Sequence, residues 1–134
     1  MASLRMLTDT AVLYNYVGEV NDEATYQETV FRRCYCPVNE GAGLISQGRK
    51  PRNSGKLYLF DSKTIAVSRT GVVRTYLPYD QWKKTANKNL YWTLSDEGTD
   101  YFEKTGSSVK LLVASFSRKK AGTRRMWHFE VSGQ

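Results

Sequence analysis

Apolar and polar residues alternate at a period of two through most of this chain, a pattern that strands satisfy and helices do not. Thr10 to Val17 reads as a first strand, closed by Gly18 and an acidic turn from Glu19 to Glu23. Thr25 to Cys36 reads as a second, longer strand that stops at Pro37. Short strands follow at Lys56 to Phe60 and Thr64 to Ser68, and Gly71 to Leu77 extends that region. Leu90 to Leu94, a Ser95-Asp96-Glu97-Gly98 turn and Asp100 to Lys104 suggest a further hairpin. Only Pro78 to Thr85 has helical character: Pro78 and Asp80 open it, and Lys83 and Lys84 sit near its end, in the order the helix dipole favours. At two turns it must dock Tyr79 or Trp82 on the sheet to persist. Many short strands without βαβ alternation predict an all-β fold, mainly an antiparallel β-barrel or sandwich with long loops and one short helix.

The chain of 134 residues suits one domain, residues 1–134, and its 40% hydrophobic content is enough for a packed core. Two segments interrupt the alternation. Residues 39–55 hold several glycines and a basic run, Arg49, Lys50 and Arg52, and read as a long loop, a length usually tied to function. Residues 107–133 read as a terminal hairpin: Ser108 to Ser117 runs out and Met126 to Val131 runs back. Between them Arg118, Lys119, Lys120, Arg124 and Arg125 form a basic tip with no acid in the run.

Charge is distributed unevenly. The net charge is +7, yet residues 1–40 hold six acids against three bases, which leaves about +10 on the remainder. Glu19, Asp22 and Glu23 gather on the first hairpin as a counter-patch to the basic tip. Such polarity suits nucleic acid, an acidic protein face, or head-to-tail contact between copies. The plainer reading makes both tips solvated hairpin ends.

Catalytic constellations fail on inventory. His128 is the only histidine, it lies between Trp127 and Phe129, and no serine partner is identifiable. Asp96, Glu97, Asp100 and Glu103 imitate a carboxylate pair, but a turn and its flanking strand are ordinary places for solvated charge. Cys34 and Cys36 are spaced for neither an unstrained disulfide nor a zinc site, and read as two reduced thiols on a strand. No cofactor or metal is implied. Met1 to Leu7 lacks a signal-peptide core, and no run approaches the ~18 apolar residues of a membrane span. The expectation is a soluble, non-enzymatic protein of a reducing compartment. A small basic β-barrel that binds nucleic acid through its basic loops and stacking tyrosines is the alternative.

The order of segments carries a resemblance. Val12-Leu13-Tyr14-Asn15-Tyr16 leads to Tyr26-Gln27-Glu28-Thr29-Val30 and a glycine-rich loop; Tyr79-Asp80-Gln81-Trp82-Lys83, Tyr91-Trp92-Thr93-Leu94 and a closing Trp127-His128-Phe129-Glu130-Val131-Ser132-Gly133 follow. This resembles the small minor capsid, or head-closure, proteins of tailed phages and prophages of Gram-positive bacteria. It departs from them at Asp100 to Lys104, where many relatives have a Gly-Asp turn and an aliphatic strand. The resemblance implies a β-barrel with long loops in a homo-oligomeric ring of about twelve copies. It further implies a place in the virion neck, between the portal–adaptor end of the capsid and a tail-terminator or tail protein, near packaged DNA. No catalytic residues accompany it. On that reading the basic tip docks on an acidic neighbour.

Overall fold

Asn21 and Asp22 hold φ values of 53° and 65°, the left-handed pair that a two-residue type I′ hairpin turn requires. They join β1 (Asp9–Val20) to β2 (Glu23–Cys34), which pair antiparallel from Asp9 opposite Cys34 to Val20 opposite Glu23. The acidic segment is therefore mostly strand, and only Asn21 and Asp22 turn. The computed structural model describes residues 4–39, 53–82, 84–85, 90–120 and 122–134. Arg49, Lys50 and Arg52, with most of the 39–55 loop, lie outside the described residues.

The other strands are β3 (Val38–Asn39), β4 (Ser54–Phe60), β5 (Ile65–Ser68), β6 (Thr75–Tyr76), β7 (Tyr91–Trp92), β8 (Tyr101–Lys104), β9 (Leu111–Lys119) and β10 (His128–Gly133). Eight of them form one antiparallel sheet in the order β3-β4-β10-β9-β8-β1-β2-β5, so the fold is all-β. β6 and β7 pair separately and in parallel. The large sheet is not a closed barrel, but it curls far. The chain leaving β2 exchanges Tyr35 and Tyr58 backbone hydrogen bonds with β4 (2.8 and 3.3 Å) and enters β3, so one run of chain contacts both ends of the sheet.

A bulge makes that crossing possible. Arg33, at φ 56°, is left over between the Asp9–Cys34 and Thr10–Arg32 pairs. One extra residue reverses the phase of a strand. Thr29 and Phe31 point inward before the bulge; Cys34 and Cys36 point inward after it. The inward set, including Leu13, Phe31, Leu57, Phe102, Leu111 and Val131, forms the main core inside the curl. Where Gly55, near the start of β4, lies opposite Gly133 at the end of β10, Phe102 and Leu111 pack against bare backbone.

Two expected elements differ. The expected 90–104 hairpin does not form, because β7 pairs with β6 while β8 pairs with β1 and β9. Gly98 donates its N–H to the Val113 carbonyl (3.0 Å), and Asp100 Oδ2 takes the Asp96 N–H (2.6 Å), so this turn wraps onto β9. The helix α1 (Tyr79–Trp82) is a single turn whose Trp82 is buried, as docking required.

Candidate functional site

The β1–β2 hairpin outruns its neighbours. β1 meets β8 only over Ala11 to Tyr14, and β2 meets β5 only over Thr29 to Arg32. Among the described residues, the two strands pair only with each other from Asn15 to Glu28, forming a two-stranded arm. Its root is pinned: Asn15 and the Tyr16 N–H both donate to Asp100 (2.9 and 2.8 Å), and Tyr26 meets Tyr16 and Tyr101 edge-on. Beyond the root, Val17 and Val20 are exposed (44% and 59%), as are Glu19, Asp22 and Glu23. Among the described residues no basic side chain pairs with those three carboxylates.

The basic segment is arranged otherwise than its sequence suggests. Arg118 and Lys119 belong to β9, opposite Phe129 and His128, and are not part of the turn. Arg118 forms a bidentate ion pair with Asp61, one bond being 2.6 Å, and its guanidinium lies 4.1 Å from the centre of the Phe129 ring. The segment thus has an acid beside it after all, contributed from the β4–β5 turn. Lys120 and Arg124 approach the Trp127 ring at 5.3 and 5.5 Å. A 3-10 turn spans Arg124–Met126, and Ser62 donates its hydroxyl to the Arg125 carbonyl (2.9 Å). This anchors the loop to the β4–β5 turn and leaves Lys119, Lys120, Arg124 and Arg125 exposed, a basic face at this end of the β9–β10 hairpin.

Next to that face opens a cavity of about 440 Å³ between β5, β6, β7 and β10. Its walls are largely apolar and include the rings of Phe31, Phe60, Tyr76, Trp92 and Phe129, and Asp61 and Arg118 also line it. Arg74 lines it as well and is only 7% exposed. One of its terminal nitrogens donates to Thr29 Oγ1 (2.9 Å) and the Tyr91 carbonyl (3.3 Å), both neutral, while its buried Nε has no partner. Among the described residues no carboxylate pairs with it, and burial lowers its pKa. Sequence reasoning missed Arg74 because it sits inward between exposed Val73 and Thr75, opposite in phase to what alternation suggests. Asp61 was missed because a single acid after an apolar strand looks like ordinary turn chemistry.

The remaining candidates have structural surroundings. Asp100 is fully buried: Oδ1 accepts the Tyr16 N–H, and Oδ2 accepts from Asn15 and from the Asp96 N–H. Burial pushes its pKa up, and those hydrogen bonds pull part of the way back. It is not a solvated turn charge. Glu103 accepts the Tyr14 hydroxyl hydrogen bond, and burial is the main cause that raises the Tyr14 pKa. His128 stacks on Phe60 with its Nδ1 2.9 Å from the Met126 carbonyl and its Nε2 3.2 Å from Glu130. Cys34 and Cys36 are free, fully buried thiols, and burial pushes each up to about 12. Among the described residues no group of three His, Cys, Asp or Glu side chains is placed to hold a metal ion. No helix there is long and apolar enough to cross a membrane. The chain matches no protein-family model, no curated protein and no solved structure.

Proposed function

We propose that this chain is a non-enzymatic structural subunit that joins copies of itself head to tail, as a head-closure or head–tail connector ring in a phage neck does. The observation that carries this reading is the arm: residues 15–28 pair only with each other and end in three exposed carboxylates without a basic partner among the described residues. An isolated two-stranded ribbon is marginal in water and gains from packing on something. The exposed cations Lys119, Lys120, Arg124 and Arg125 sit at the end of a different hairpin, β9–β10, and have the opposite sign. Complementary patches on one chain make a heterologous contact, which closes into a ring when the rotation allows. Such charges steer and orient association more than they set its final strength. The resemblance in segment order adds the location: the virion neck, with portal–adaptor protein on one side, tail protein on the other and packaged DNA within reach.

Sedimentation velocity at increasing salt tests this. The account expects concentration-dependent oligomers that weaken as salt rises, since exposed charges are screened over about 8 Å at physiological ionic strength. Replacing Lys119, Lys120, Arg124 and Arg125 by serine should slow and weaken their formation and leave the fold intact. A stable monomer that binds duplex DNA tightly without sequence preference would overturn the connector reading in favour of nucleic-acid binding.

A further inference from the structure

We infer that the cavity holding Arg74 is the socket for the arm of a second copy, with Val20 against its aromatic walls and the Asp22 carboxylate on the Arg74 guanidinium. The inference rests on the head-to-tail reading and names the surface where that contact is made.

Three observations converge on it. The first is electrostatic. A buried guanidinium normally has a carboxylate, because an unpaired buried charge is costly. Among the described residues Arg74 has only a hydroxyl and a carbonyl, and its Nε is orphaned. The other ionic groups at the cavity, Asp61 and Arg118, neutralise each other in a bidentate pair. The charge left unanswered there is therefore the Arg74 cation, and an incoming carboxylate answers it.

The second is shape and polarity. At about 440 Å³ the cavity lies within the usual range of binding sites, roughly 300–1,000 Å³, and its lining is mainly apolar, with several aromatic rings. It suits an apolar body bearing one negative charge. The arm offers that combination, since Val20 and Asp22 flank Asn21 at its tip and both are exposed. A neighbouring groove shares Tyr76, Arg118 and Phe129 with the cavity and carries Lys120, so the approach has the sign that attracts the arm.

The third is placement. Phe31 lines the cavity and Glu23 begins the arm's return strand; they lie eight residue steps apart along β2, roughly 26 Å at 3.3 Å per step. Tip and socket therefore lie toward opposite ends of one strand. A copy presents its tip at one end and its socket at the other, which is the arrangement head-to-tail growth needs.

A double-mutant cycle on self-association tests the pairing, read as dissociation constants from sedimentation. Asp22→Asn and Arg74→Gln should each weaken association at least tenfold, and the double variant should be little weaker than either single one. Circular dichroism checks that Arg74→Gln folds; Asp22→Asn, on an exposed turn, tests the same contact without touching the core. A second measurement mixes a Val20→Cys copy with an Ile65→Cys copy, Ile65 being a cavity residue. Oxidation should yield a disulfide-linked dimer from the mixture, and Arg74→Gln in the Ile65→Cys copy should suppress it. Oligomers that persist with Asp22→Asn and give no cross-link would overturn the socket and leave head-to-tail assembly standing. A wild-type chain that stays monomeric throughout would overturn both.

Discussion

Arg118 clasps Asp61 through both terminal nitrogens of its guanidinium while lying over the Phe129 ring, and so belongs to the fold more than to the basic face. The pair is partly exposed, so its Coulomb contribution is modest; the stacked face over Phe129 adds to it. Arg118→Ala should lower stability by about 1–2 kcal/mol. Serine at Lys119, Lys120, Arg124 or Arg125 should change it by less than about 0.5 kcal/mol. Urea titration of the single variants checks this, and equal effects at all positions would contradict the assigned role of Arg118.

Asp100 ties the root of the arm to the turn after β7. Asp100→Ala strands the Tyr16 N–H, the Asn15 amide and the Asp96 N–H, and should cost about 3 kcal/mol or more. The pH dependence has a definite sign. Burial raises the folded carboxyl above its unfolded value, so its contribution is full below the ordinary carboxylate range and is lost as pH rises through the folded value. The stability of the wild type relative to Asp100→Asn should therefore increase as pH falls from about 7 to about 4. Paired denaturation curves across that range would show it, and a gap that narrows on acidification would contradict it.

Gly133 has no room for a methyl group. A Cβ there would stand 2.5 Å from Phe102 Cε1 and 2.9 Å from Leu111 Cβ. Gly133→Ala should destabilise by about 1–3 kcal/mol through overpacking, visible as a lowered Tm. A neutral effect would show that β10 ends elsewhere.

Cys34 and Cys36 should be inert to thiol reagents in the folded protein and react only on unfolding, because both are buried and their thiols are pushed up to about 12. Fast labelling of either one under native conditions would contradict the inward phase that follows the Arg33 bulge.

Period-two alternation located β1, β2, β4, β5, β9 and β10 well, because each has one face on the core and one toward solvent. It failed where local hydrogen bonds outweighed pattern. Ser95 to Asp100 has ordinary turn composition, yet buried Asp100 directs the chain onto β9 and prevents the expected hairpin. The Arg33 bulge was also illegible, since alternation resumes on both sides and only the change of phase betrays it. For the candidate site, the charges of Glu19, Asp22 and Glu23 and of the basic segment were plain in the sequence. The pairing of Arg118 with Asp61 and the isolation of Arg74 were not, because each depends on strands far apart in the chain.

Head-to-tail contact between acidic arm and basic face is the central claim, and a charge-swap mixture tests it most directly. One variant carries lysine at Glu19 and Glu23, keeps Asp22 for the Arg74 socket and keeps its basic face; the other keeps its acidic arm and carries glutamate at Lys119, Lys120, Arg124 and Arg125. Each should repel its own copies, while every contact between the two kinds is complementary. Mass measurement should find wild-type oligomers, monomers for each variant alone, and oligomers again in the equimolar mixture. Assembly of either variant by itself, or a mixture that stays monomeric while the wild type assembles, would contradict the account.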